Sequence, residues 1–237
     1  MLIYFLFIIN LKFIIKYQKI KHLKMCFSEK ISWIAFFIGM IATFILLLFS
    51  IEANNLYITL IALGFFSVVM VQFFEALLWR GYEKIGSYGI IISTIMQPII
   101  FGLLLLYPTN DIWKKALIGV LLVFYIVYIL YSLFSNDKSN IINPNSECNN
   151  HLYYKPWSNF PFGGAPYLIM LLLVFALLLP FEISSIVITL LIITLMLSIL
   201  IYPCAVGSLW CFFAISLPII LIIYLLFNNH ICNGGNL

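Results

Sequence analysis

Charged side chains are scarce in this chain. Only 8% of its 237 residues are Asp, Glu, Lys or Arg, while 65% are hydrophobic, whereas a typical soluble domain has about 25% charged residues. The composition therefore excludes a water-soluble globular protein and predicts an integral membrane protein whose main partner is the lipid bilayer. The net charge of +4 is small, and the cations lie at the ends of apolar runs, so we expect no nucleic-acid partner.

Histidine is also rare, and the usual catalytic motifs are missing. His22, His151 and His230 all lie outside the long apolar runs, and the sequence contains no H-E-x-x-H, no C-x-x-C and no G-x-S-x-G. These absences exclude membrane metallohydrolases built on histidine and argue against a nucleophilic serine of the hydrolase type. We therefore expect no metal and no cofactor.

Long apolar runs dominate what is present. A bilayer core of about 30 Å needs about 20 apolar residues in a helix, and the runs lack the period-two alternation of a barrel wall. The sequence predicts an all-α fold, a polytopic membrane protein with a bundle of about seven transmembrane helices. The expected spans are 31–51, 55–79, 87–107, 113–134, 165–181, 183–203 and 205–227.

The basic residues predict the orientation of the bundle. With the N-terminus in the cytoplasm, the outer segments hold only Lys114 and Lys115, and every other Lys and Arg falls in a cytoplasmic segment. Because cytoplasmic loops are enriched in Lys and Arg, we predict that the N-terminus lies inside and the C-terminus outside.

The polar segments delimit one membrane domain, residues 25–227. Residues 1–24 have a short apolar head followed by lysines, the reverse of the order in a signal peptide. This segment is either an interfacial helix or upstream sequence from a wrongly assigned start, with Met25 the true first residue. Residues 135–164 are rich in Asn, Ser, Pro and Gly and are predicted to form a cytoplasmic loop. Residues 228–237 are a short tail.

A carboxylate inside the second span is the main functional signal. Gln72, Glu75 and Trp79 share one helical stripe, and Glu75 is expected about 6 Å from the cytoplasmic interface. A charged carboxylate in the bilayer costs about 2.5–3.5 kcal/mol at the helix centre, so such a group is protonated or paired. Gln97, before Pro98 in the third span, is the expected partner of Gln72 or Glu75.

The last span carries a second set of polar residues at the same membrane level. Cys204, Ser208 and Cys211 lie on one helical face, and Cys26 marks the entry to the first span. Cytosolic thiols are able to bind a soft metal, but metal-ligand spacing is absent and helix packing is the preferred interpretation. The candidate residues of an inner-leaflet polar pocket are Gln72, Glu75, Trp79, Gln97, Cys26, Cys204, Ser208, Trp210 and Cys211.

Three short motifs carry a resemblance to a known group of proteins. They are Met-Cys-Phe-Ser at 25–28, Gln-x-x-Glu-x-x-x-Trp at 72–79 and Gly-Ser-x-Trp-Cys at 207–211. The chain from 25 to about 227 resembles an uncharacterised family of multi-pass membrane proteins from bacteria and large DNA viruses, whose members begin Met-Cys-Phe-Ser. The resemblance implies a start at Met25 and supplies no activity. Ala76 departs from it, since many relatives have glycine there.

Three hypotheses about function follow. The preferred one is transport or sensing of a small solute or ion through the pocket around Glu75. The alternative is a structural or interaction protein whose polar residues only set the register of the helices. The third and least favoured is a membrane-embedded enzyme with Cys26 or Cys211 as nucleophile and Glu75 as base. Because this hypothesis ranks last, we expect that the protein is not an enzyme.

Overall fold

The computed structural model describes residues 29–135, 164–201 and 206–233, and its described side chains are those of 29–132, 164–200 and 209–227. This part of the chain is helical and contains no strand. The described helices are α1 (Glu29–Glu52), α2 (Leu56–Trp79), α3 (Glu83–Leu106), α4 (Ile112–Ser135), α5 (Ala165–Leu178), α6 (Phe181–Ile201), α7 (Val206–Ala214) and α8 (Ser216–Asn233).

Six of the described segments are long and apolar enough to cross a membrane. Five are α1, α2, α3, α4 and α6, and the sixth runs through α7 and α8 from Leu209 to Phe227. The predicted all-α class and the multi-pass membrane protein are confirmed. Residues 1–28 and 136–163 are outside the described residues, so the predictions for the N-terminal extension and most of the loop are untested. The predicted orientation of the bundle also stays a prediction.

The fifth span is shorter than predicted. The helix α5 has 14 residues and ends at Leu178, which is about 21 Å of helix against a bilayer core of about 30 Å. Leu179 adopts an extended conformation, with φ −87° and ψ 149°. Pro180 explains this end, because the residue before a proline is pushed out of the helical region.

The seventh span is broken in two, whereas the sequence predicted one continuous helix over 205–227. The helix α7 ends at Ala214, and the Ile215 amide donates to the Phe212 carbonyl at 3.3 Å, which tightens the chain locally. Pro218 accounts for the break, since it has no N–H to donate to the Ala214 carbonyl. The helix α8 then continues to Asn233, beyond the predicted end of the span.

The second helix, α2, is the centre of the bundle. It packs against α1, α3 and α7 and is the most deeply buried of the spanning segments. Glycines allow the close approach to α3: a Cβ at Gly64 would overlap the Phe101 ring, and one at Gly89 would overlap the Phe74 ring. Small residues at helix contacts are typical of membrane bundles.

The start of α1 and the end of α2 lie side by side at one end of the bundle. Arg80, directly after α2, forms an exposed ion pair of 3.0 Å with Glu29, the first residue of α1. Trp33 also donates to the Glu29 carboxylate, at 3.3 Å. The start of α1 therefore lies beside the end of α2, where the predicted pocket begins.

Candidate functional site

The predicted polar stripe of α2 faces the inside of the bundle. Gln72 and Glu75 are both 0% exposed, and Trp79 is half-buried with its indole nitrogen fully buried. A Glu and a Gln at the lipid surface would have been costly, and the structure avoids that arrangement. The expectation that the stripe faces protein rather than acyl chains is confirmed for the two polar residues.

Several polar atoms around this stripe have no hydrogen-bond partner among the described residues. They include both the oxygen and the nitrogen of the Gln72 amide, and Nε1 of Trp79. Leaving such a group unsatisfied costs about 1–3 kcal/mol, so native proteins usually satisfy it with protein, water or an ion. The stripe is therefore a place where a bound polar species would find partners.

Ser32 of α1 adds a hydroxyl at the same level. Its side chain is 0% exposed, and its Oγ also lacks a hydrogen-bond partner within the described ranges. The register of the two antiparallel helices sets its height, since the ring centroids of Trp33 and Phe73 are 5.7 Å apart. Ser32 consequently lies at about the level of Phe74 and its neighbour Glu75. We call Ser32, Gln72, Glu75 and Trp79 the inner polar cluster.

The helix α7 brings a thiol to this cluster. Cys211 is 7% exposed and packs in a small cluster with Val71 and Leu78 of α2. Val71 and Leu78 lie one turn before and one turn after Glu75, so Cys211 packs on the face of α2 that carries this carboxyl group. The second and seventh predicted spans are thus adjacent, as a pocket formed by residues of both spans requires.

Three other predicted pocket residues cannot be placed in the same way. Cys26 and Cys204 lie outside the described residues, and Ser208 is in α7 but its side chain is outside the described side chains. Their membership of the pocket remains a prediction.

Trp210 points to α6 rather than to the inner polar cluster. Its indole N–H donates to Thr194 Oγ1 at 3.0 Å and to the Leu191 carbonyl at 3.2 Å. The Tyr167 ring of α5 lies edge-on to it, with centroids 5.8 Å apart. The predicted residue is therefore buried as expected, but it belongs to a second polar group deeper in the bundle.

The predicted pairing of Gln97 with Gln72 or Glu75 is wrong. The Gln97 side-chain oxygen accepts a hydrogen bond from the Tyr167 hydroxyl, and its amide nitrogen has no hydrogen-bond partner in the described part of the chain. Gln97 is 2% exposed, so the free N–H is buried. Its partner comes from α5, not from α2.

The register between α2 and α3 is the reason for this difference. Gly64 of α2 lies against Phe101 of α3, and the helices are antiparallel. One turn back from Phe101 is Gln97, which is therefore level with Val68, and both residues line one cavity. Gln72 is about one turn, or about 6 Å, further along α2.

This cavity lies at the junction of α2, α3, α5, α6, α7 and α8. Its volume is about 20 Å³, which is space for about one water molecule. Most of its wall is apolar, and the polar side chains in the wall come from three helices. The lining residues are Phe65, Val68, Gln97, Phe101, Tyr167, Leu171, Phe175, Leu191, Trp210, Cys211, Ala214 and Leu217.

Sequence analysis missed Tyr167 and Ser32. Tyr167 follows Ala165 and Pro166 at the start of an apolar run, where tyrosine usually marks the membrane interface. Ser32 lies one turn before Ala35 on the buried face of α1, and this spacing was a signal that could have been used. Tyr167 gave no such signal, because its partner Gln97 is 70 residues away.

Within the described residues, no group of three or more His, Cys, Asp or Glu side chains could hold a metal ion. Comparison with protein-family models, curated proteins and solved structures finds no match to this chain. The resemblance to proteins that begin Met-Cys-Phe-Ser therefore stays a prediction. The fold is that of a multi-pass membrane protein, and the site alone bears on its function.

Proposed function

We propose that this membrane protein transports or senses a small solute or ion at the inner polar cluster around Glu75. The observation that supports the proposal is the burial of a carboxyl group directly beside Gln72, whose amide atoms lack hydrogen-bond partners in the described structure. Ionisable residues within membrane spans are rare and usually mark substrate, ion or proton pathways, which makes Glu75 the first candidate for a functional site.

The chemistry of the cluster suits a small polar species. Glu75 supplies the one side chain of the cluster that changes charge, either by protonation or by binding a cation. The Gln72 amide offers both an acceptor and two donors, and Ser32 offers a hydroxyl. In this mechanism Glu75 binds the cargo and Gln72 orients it.

The test is a flux or ligand-response measurement on purified protein in proteoliposomes, with wild type beside Glu75→Gln. Glutamine keeps the shape and the hydrogen-bonding capacity of the side chain and removes its titration. We expect loss of the ion- or pH-dependent response in this variant. The control is Glu52→Gln, because Glu52 is an exposed carboxylate at the end of α1. Equal responses of Glu75→Gln and wild type would rule out the mechanism.

A structural or interaction protein is the second candidate, and the tight packing of α1 favours it. A Cβ at Gly39 would come 3.0 Å from Val69 Cγ2 and 3.4 Å from Ile215 Cγ1. If the polar cluster only sets helix register, Gly39→Leu lowers stability and disrupts assembly while Glu75→Gln is tolerated in every assay. The two candidates therefore give opposite results for Glu75→Gln.

An enzyme with a cysteine nucleophile is the third candidate. It predicts that a membrane-permeant alkylating reagent labels one cysteine much faster than the others. Cys211 is 7% exposed, and a buried thiol in an apolar environment is usually unreactive. Slow and uniform labelling of all cysteines would eliminate this hypothesis.

A further inference from the structure

The cavity between Gln97, Tyr167 and Cys211 is separate from the inner polar cluster and needs its own explanation. Gln97, whose buried amide nitrogen has no partner in the described structure, is one of the residues that line it. Cavities in proteins stay empty when their walls are wholly apolar, whereas polar cavities of sufficient size hold water. The wall of this cavity is apolar except for four polar side chains, and these side chains determine whether the cavity holds water.

Of the four polar side chains in the wall, Trp210 already uses its donor. Its indole N–H donates to Thr194 and Leu191 of α6, so the side chain has no second donor for the cavity. Tyr167 donates its proton to Gln97 Oε1, and a hydroxyl oxygen has two lone pairs with which to accept. Cys211 contributes a sulfur, which is a weak acceptor. The wall thus presents one N–H donor, one oxygen acceptor and one sulfur acceptor.

We propose that the cavity is a binding site for a single water molecule, which accepts a hydrogen bond from Gln97 Nε2 and donates to Tyr167 Oη and Cys211 Sγ. The volume of about 20 Å³ admits about one water, and the number of partners matches the two to four that buried waters require. A larger solute does not fit, and an ion would meet mostly phenylalanine and leucine walls at a high cost of desolvation.

This water joins three helices at the centre of the bundle. Gln97 belongs to α3, Tyr167 to α5 and Cys211 to α7. Because Cys211 also packs on the face of α2 that carries Glu75, only this residue separates the water from the inner polar cluster. The inference stands without the proposed function, since it concerns a different set of atoms.

A double-mutant cycle distinguishes a wet cavity from a dry one. Ala214 lines the cavity and is 7% exposed, so Ala214→Val fills space and displaces the water. In the wild-type background we expect an apparent Tm lower by about 2–12 °C, because the Gln97 N–H then loses its partner. In a Gln97→Met background, which has no such donor, we expect the same substitution to lower the Tm much less or to raise it.

Ala42→Val is the matched control, because Ala42 has the same 7% exposure on α1 and does not line the cavity. It should shift the Tm equally in both backgrounds. A high-resolution density map of the wild type should also show an oxygen about 2.7–3.2 Å from Gln97 Nε2. The proposal is overturned by equal effects of Ala214→Val in both backgrounds, or by an empty cavity in a map that resolves other buried waters.

Discussion

Gln72→Met and Gln97→Met remove the same amide from two buried positions, and we expect them to change thermal stability differently. Methionine has nearly the shape of glutamine and only a weak acceptor. At Gln97 the substitution deprives the buried Tyr167 hydroxyl of its acceptor. At Gln72 it removes an oxygen and a nitrogen that have no hydrogen-bond partner in the described structure.

The magnitude follows from hydrogen bonding inside membranes. Such bonds are worth about 0.6 kcal/mol on average and up to about 1.7 kcal/mol, and 1 kcal/mol shifts the Tm of a chain of this size by about 2–4 °C. Gln97→Met should therefore lower the apparent Tm by about 1–7 °C. Gln72→Met should leave it unchanged or raise it, because burying an amide without partners is unfavourable.

The assay is thermal unfolding in detergent or nanodiscs, followed by intrinsic fluorescence, with no solute or ion added that the inner polar cluster would bind. Double substitution with Tyr167→Phe provides the control, since the effect of Gln97→Met should shrink when the hydroxyl is absent. Equal falls in Tm for the two glutamine variants, or no fall for Gln97→Met, would refute the conclusion that Gln97 is bonded to Tyr167 while the Gln72 amide has no hydrogen-bond partner among the described residues.

Two further predictions concern packing and the second polar group. Gly64→Ala forces a methyl group into the Phe101 ring and should cost about 1–3 kcal/mol, whereas Gly119→Ala meets open space and should be tolerated; equal melting curves for the two variants would contradict this packing. Thr194→Val removes one of the two acceptors of the Trp210 N–H, so we expect a fall in apparent Tm of about 1–4 °C. A fall as large as that of Trp210→Leu would show that the Trp210 N–H is not shared between Thr194 Oγ1 and the Leu191 carbonyl.

The site could be predicted in part from the sequence. What the sequence did not predict was the register between helices. Helical spacing alone put Gln72 and Glu75 on one face, and the cost of exposing that face to lipid predicted its burial. The partner of Gln97 was predicted wrongly because mid-span position does not specify the height of one helix against another. The contact between Gly64 and Phe101 sets that height, and it places Gln97 beside Tyr167.

The ends of helices show the same limit in a different way. Pro180 and Pro218 were visible in the sequence, and each explains an end or a break that the structure contains. The apolar runs nevertheless continue past both residues, so hydropathy predicted longer spans. Hydropathy reports transfer of side chains into lipid and carries little information about backbone hydrogen bonds.

The sequence by itself determined that this protein is a helical, multi-pass membrane protein with a buried carboxyl group in its second span. That conclusion depends on composition and on distances within one helix, and both are properties of the chain alone. Only the tertiary structure decided which buried groups meet: Cys211 packs against Val71 and Leu78 on the face of α2 that carries Glu75, Tyr167 bonds to Gln97, and Gln97, Tyr167 and Cys211 line a cavity of about 20 Å³. These contacts join residues far apart in sequence, and they arise from side-chain packing between helices, which no single segment encodes.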